Sequence, residues 1–351
     1  MSIQSGLIPC DNSYSKKFMF KSKLTPQITK LLENVVRYES RIDGIEFDHK
    51  WKRELQKKAR TAESLATYRF HSSNTAELSE LYIKNSGSLQ DHLLFLKEMQ
   101  ARREMDLYFK NKITEETAIY LHRFLDNLDD DISKERGKYR KSQIIKEGEI
   151  LSEYSGYMRY GFVPRIMEDF FEELHKTNLS SFLIAPLIVL NFVAISPFFR
   201  NNFLVARFLA KGYLYKQKID QDVLLRIDDL LSSDFKATKR ALLDGLSGKE
   251  SVWVEYYLSC MLKAYKVLDN DIKVISGGSV YASKNEIMQL TKRQIIILDL
   301  INSNSQMSIS ELAKLLGITR QSVFEIVQKL YQKGLLSRVG SSTTTRYKIK
   351  K

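Results

Sequence analysis

Residues 185–215 read APLIVLNFVAISPFFRNNFLVARFLAKGYLY. Leu187, Ile188, Leu190, Phe192, Val193 and Ile195 leave the first half of this stretch without a polar face, which predicts a helix buried all round. Ser196-Pro197 breaks it, because the residue before a proline avoids the helical region and proline lacks an N–H. Phe198 and Phe199 anchor the turn, and Arg200-Asn201-Asn202 makes it polar. From Phe203 the helical spacing resumes through Leu204, Arg207, Phe208 and Tyr215. A loop that delivers a helix N-terminus is a ready anion site, since the first N–H groups lack partners and the dipole is positive there.

The segment from Ser196 to Arg207, SPFFRNNFLVAR, resembles the signature His-Pro-Phe-x-Asp/Glu-Gly-Asn-Gly-Arg-x-x-Arg of the Fic family of nucleotide (usually AMP) transferases. Pro197, Phe198, Asn202 and Arg207 keep their places. The resemblance implies phosphate-binding positions at Asn202 and Arg207. The family's histidine is the base that deprotonates the target hydroxyl, and Ser196, in its place, is no base near pH 7. The family's acidic residue holds magnesium, and Arg200 in its place carries the opposite charge. Asn201 and Phe203 replace the two glycines, and Leu204 the first arginine. The resemblance is therefore to a degenerate site with no metal ligand.

Two further stretches fit the same family. Glu39-Ser40-Arg41-Ile42-Asp43-Gly44-Ile45 is similar to its inhibitory motif Ser/Thr-x-x-x-Glu-Gly/Asn. The resemblance rests on Ser40, Asp43 and Gly44, and implies that Asp43 pairs with Arg207. Read without it, these residues are a helix C-terminus closed by Gly44. Residues Arg136 to Ile144, RGKYRKSQI, resemble the stretch that precedes the family's flap. Gly156 to Val163 would be that flap, a small β-hairpin that docks a target protein.

The chain has 351 residues, 43% hydrophobic and 28% charged, with two cysteines far apart, Cys10 and Cys260. This suits a globular protein in a reducing cytoplasm, with no disulfide scaffold. No signal peptide is expected from the first residues, and no membrane span from the longest apolar run, which Pro186, Asn191 and Ser196 interrupt. The net charge is +13. Residues 281–351 hold twelve Lys and Arg against four Asp and Glu, a net of +8. A basic terminal segment points to nucleic acid more than to a membrane.

Helical spacing predicts two helices over residues 25–70 around a break at Gly44, then helices over 91–108 and 114–128. Thr114-Glu115-Glu116 makes a good helix start. A further helix begins at Pro164, and others cover 223–230 and 252–268. Trp253, Tyr256, Tyr257 and Met261 on the last read as core. His71 reads as a polar residue near a helix end, and Gly277-Gly278 as a linker. In the C-terminal part, a helix over 290–300 precedes a second one capped by Ser308 and Glu311 and ended by Gly317. Thr319 caps a third. Leu335 to Val339 and Thr344 to Ile349 form a hairpin around Gly340-Ser341-Ser342. This is the pattern of a winged helix, with Thr319, Arg320, Gln321 and Ser322 facing bases and Lys329, Lys333, Arg338 and Arg346 meeting phosphates.

The expected protein is mainly α. Residues 1–110 form a helical region carrying the inhibitory-like segment, 111–270 a Fic-like helical core with its flap, and 281–351 the winged helix. Three functions stay open. The first is a regulator that binds DNA through its C-terminal domain, its core no longer transferring AMP and needing no cofactor. The second is an active AMP transferase with altered residues, using ATP and magnesium. The third is a scaffold whose winged helix makes a homodimer.

Overall fold

The computed structural model describes residues 20–71, 100–102, 105, 109, 112–126, 135–143, 145, 149–151, 153–154, 156–276, 292–304, 306–332, 335–340 and 345–349. Most of the helix expected over 91–108, the Gly277-Gly278 linker, Lys333 and the wing tip at Ser341-Ser342 lie outside them. The chain divides into two compact units, Met1–Glu39 with Gln56–Tyr265, and Ser40–Leu55 with Lys266–Lys351.

The first unit is built on the apolar pair read from the sequence. Helix α5 (Ser181–Ile195) packs along α6 (Asn202–Lys216). Every residue from Phe182 to Val193 and from Asn202 to Leu214 is buried, so neither helix keeps a solvent face. Such helices must be surrounded. The surrounding helices include α3 (Glu115–Leu125), which packs on α6, and α4 (Val163–Lys176), which packs on α5 and has Pro164 in its first turn. Helix α7 (Ile227–Ser233) leads into α8 (Phe235–Leu246), which also packs on α5. On α9 (Glu250–Ile275), Trp253, Tyr257 and Met261 are buried as core, and the Trp253 indole N–H donates to the Pro186 carbonyl at 2.8 Å. Helices α1 (Pro26–Asp43) and α2 (His49–His71) flank the expected break at Gly44.

The flap differs from the expectation. Its described residues form no strand: 156–159 are irregular, Tyr160–Phe162 is a 3-10 turn, and α4 begins at Val163. The backbone groups a hairpin would pair are already taken. Arg140 and Gln143 donate to the Met158 carbonyl, Gln143 also to that of Tyr157, and the Met158 N–H donates to Ala194 at 3.3 Å.

In the second unit, α10 (Lys292–Ser303), α11 (Ile309–Leu316) and α12 (Arg320–Gln332) share one core with the hairpin β1 (Leu336–Val339) and β2 (Arg346–Ile349). Ile297, Ile301, Leu312, Val323, Val327, Leu330, Leu336 and Tyr347 fill it. The caps are those expected. Ser308 Oγ accepts from the Glu311 N–H at 3.2 Å, and Glu311 accepts from the Ser308 N–H at 2.8 Å. Gly317, with φ +63°, closes α11 in the left-handed region that suits glycine. Met307 and Tyr347 exchange backbone hydrogen bonds and extend the hairpin. Among the described residues no helix is long and apolar enough to cross a membrane.

Candidate functional site

The turn between α5 and α6 is held by its own residues. Ser196 ends α5 with φ +44° and is fully buried. Its N–H donates to Phe192 at 2.8 Å and its hydroxyl donates to the Val193 carbonyl at 2.6 Å. The Ser196 hydroxyl thus caps the end of α5 through the Val193 carbonyl. Asn202 closes the turn: its carbonyl oxygen accepts from the Phe198 N–H at 2.8 Å, and its amide donates to the Phe198 carbonyl at 2.9 Å. Asn201, at φ +61°, adopts the left-handed conformation that glycine would supply; asparagine tolerates it better than most residues.

Arg200 is buried and pairs with Asp126 through both carboxylate oxygens, Nε to Oδ1 at 2.7 Å and Nη2 to Oδ2 at 3.2 Å. Asn201 donates to the same carboxylate at 3.0 Å. The two-pronged pair fixes the turn to the end of α3. One turn earlier on α3, His122 stacks on Phe198 with ring centroids 4.0 Å apart and planes 10° from parallel. Its Nδ1 accepts the Gly137 N–H at 3.0 Å. Burial lowers the imidazole to about 4, with the Arg200 charge adding to it against the pull of Asp126. Gly137 has φ +67°, in the left-handed region that favours glycine. Three residues on, the Arg140 guanidinium donates to the carbonyls of Ser196 at 2.7 Å, Ser142 at 2.9 Å and Ile195 at 3.3 Å, as well as to Met158.

Further along α6, Arg207 is 1% exposed. Its guanidinium carbon lies 4.5 Å from the Phe70 ring centroid and 5.0 Å from that of Phe203. Nη2 donates to Thr67 Oγ1 at 3.1 Å, and Nη1 lies 2.9 Å from Asp228 Oδ2. The carboxylate on Arg207 is thus that of Asp228, at the start of α7. Asp43, expected in this role, belongs to the other compact unit. There it ends α1, where the Ile45 N–H donates to the Ile42 carbonyl and Arg41 pairs with Asp269. Gly44 is not in the left-handed region.

Asp228 also meets Lys211 at 3.1 Å and Arg102 at 3.1 Å. Glu63 on α2 pairs with Lys211 and with Arg102, the latter at 2.9 Å, and accepts the Asp229 N–H at 3.1 Å. Burial alone would raise the Asp228 carboxyl, but Arg207, Lys211 and Arg102 outweigh it and hold it below the usual carboxylate range. Burial pulls the Lys211 ammonium down, against Asp228. Three cations and two carboxylates therefore occupy one dry cluster around Arg207. Among the described residues no group of His, Cys, Asp and Glu is arranged to hold a metal ion.

The sequence reading placed Ser196, Arg200, Asn202 and Arg207 in one region but missed their partners. Glu63 and Lys211 carried a signal. Glu63 falls on the buried stripe of α2 with Ala59, Ala66 and Phe70, and Lys211 on that of α6, where a charge must find a partner. His122 and Asp126 lie on the buried side of α3 for the same reason. Nothing local marks Asp228 off from Asp229.

On the winged helix, Arg320, Gln321 and Lys329 are exposed on α12. Thr319 and Ser322 are tied to each other: the Ser322 N–H donates to Thr319 Oγ1 at 3.2 Å, and the hydroxyls are 2.9 Å apart. Arg338 is exposed and donates to Thr345 Oγ1 at 3.1 Å. Arg346 pairs with Glu311 at 2.8 Å, which ties the wing to the start of α11.

The MarR family model matches residues 288–346, the winged helix. Among solved structures, a Fic family protein from Desulfovibrio desulfuricans G20 aligns with a TM-score of 0.58 at 18% identity, covering 94% of this chain and 97% of that one. A Fic domain containing signaling protein from Bacteroides thetaiotaomicron VPI-5482 aligns with a TM-score of 0.48 at 17% identity, over 72% of this chain and 98% of that one. No curated protein matches the chain. At 18% identity the first of these likenesses speaks for the fold: the chain has a mainly helical, Fic-like fold and a C-terminal winged helix.

Proposed function

We propose that this protein is a DNA-binding regulator that acts through its winged helix, on a Fic-like core that transfers no AMP. The observation that carries the reading is the winged helix at 288–346, with its MarR family match and with Arg320 and Gln321 exposed at the start of α12. That is where a recognition helix presents side chains to a major groove. The net +8 of residues 281–351 favours a phosphate-lined partner.

Loss of transfer is supported by chemistry. Ser196 donates to a backbone carbonyl where a base is needed. Arg200, where an acid would hold magnesium, is locked to Asp126. Phe203 packs its ring on Phe70, and Asp228 neutralises Arg207. These residues do not fit a magnesium nucleotide. Full-length protein given labelled ATP and magnesium should transfer no label to itself or to lysate proteins. Ser196→His should not restore transfer, because Arg200 and Phe203 remain. Labelling that disappears on deleting residues 197–201 would return the core to the transferases.

The test of the main reading is recovery of genomic fragments by the full chain. A discrete set of fragments sharing a motif is expected. Recovery of none at low ionic strength would leave the winged helix as a docking or dimer module.

A further inference from the structure

Helix α12, RQSVFEIVQKLYQ, turns Val323, Val327 and Leu330 into the core. Glu325 lies roughly 170° around the helix from the centre of that stripe, and Gln321 sits one turn before it on the same outer face. Both are exposed, and the Gln321 amide donates to the Glu325 carboxylate at 3.3 Å. Phe324 stands beside them, 43% exposed. By contrast, Thr319 and Ser322 are spent on capping the helix. The exposed surface of α12 thus carries the Gln321 amide, the Phe324 ring and the Glu325 carboxylate, with Lys329 one turn after Glu325.

Glu325 is the only acidic residue of α12. On a helix turned toward phosphates, a lone carboxylate repels the partner at every sequence except one that gives it a hydrogen-bond donor. Among base edges in the major groove, the cytosine amino group gives such a donor with no acceptor beside it on the same base. An exposed phenylalanine ring has its counterpart in the thymine methyl, and glutamine in the adenine N6 and N7 edge. Gln321 and Glu325 are four residues apart, about 6 Å along the helix axis. That spans about two base steps.

We propose that Glu325 and Phe324 determine base specificity: Glu325 selects cytosine through its amino group, and Phe324 selects a neighbouring thymine through its methyl. This rests on the DNA-binding reading and adds to it which residues read sequence. Glu325 acts here by exclusion, since its charge lowers the affinity for every site that offers no donor.

The experiment is a selection from randomised duplexes by the full chain, run for the wild type, Glu325→Gln, Phe324→Ala and, as a phosphate-contact control, Lys329→Ala. All three positions are exposed, and unchanged thermal melting verifies folding. The wild type should enrich a motif holding a cytosine and, near it, a thymine. Glu325→Gln should lose about tenfold of the cytosine preference and bind unselected duplex more tightly, having shed one negative charge. Phe324→Ala should lose the thymine preference and keep the cytosine. Lys329→Ala should weaken all sequences alike. If both variants recover the wild-type motif with equal enrichment, or if the wild type binds duplex with no motif, this assignment is overturned and DNA binding stands. If the wild type binds no duplex at low salt, both fall.

Discussion

Asp228 is the carboxylate on which Arg207, Lys211 and Arg102 converge, and Glu63 is its counterpart across the cluster. Removing one member of a buried ion pair strands the opposite charge in a dry interior, which costs about 3–5 kcal/mol. Asp228→Asn should therefore lower the unfolding free energy by about that amount in urea melts. Arg207→Met in the same chain should recover part of the loss, because the stranded cation is gone. Additive losses would mean that the two do not act as a pair. His122 makes the second prediction at this scale. Its folded value, about 4, lies below the ordinary 6.5, so the unfolded chain takes up the proton first. Its contribution to stability is complete above pH 6.5 and is lost as the pH falls toward 4, by up to about 3 kcal/mol. His122→Asn should flatten the fall in stability over that interval. An unchanged slope would show that other groups carry it.

Arg140 shows how one side chain settles the form of a whole segment. It holds the carbonyls of Ile195 and Ser196 at the end of α5 and that of Met158 in the flap. Charge-assisted hydrogen bonds contribute about 1.5–3 kcal/mol each at most. Arg140→Ala should raise amide exchange across residues 156–162 and at the end of α5 while α8 keeps its protection. Arg140→Lys should not rescue, since an ammonium cannot span the same set of carbonyls. Much of the architecture could be read beforehand. The apolar run of α5, its break at Ser196-Pro197, the Ser308 and Glu311 capping pair and Gly317 all act through neighbours in sequence. The flap could not, because its conformation depends on Arg140 and Ala194, which are distant along the chain. Asp126 and Asp228 escaped for the same reason: each is defined by a cation 74 or 21 positions away. The resemblance implied Asp43 as the partner of Arg207, and the carboxylate that meets it is Asp228.

At the scale of the molecule, the helical unit and the winged helix use charge in opposite ways. In the helical unit, cations are buried against carboxylates and withdrawn from solvent. In the winged-helix unit, Arg320, Lys329 and Arg338 are exposed on a segment of net +8. Neutralising phosphates with such side chains releases condensed counterions, so the logarithm of affinity falls linearly with that of the salt concentration. The most direct measurement is the fluorescence anisotropy of a labelled duplex titrated with the full chain over a range of salt concentrations. A steep negative slope is expected, and Lys329→Ala should reduce it by about one unit. Affinity that ignores salt, or no binding at the lowest ionic strength, would contradict it.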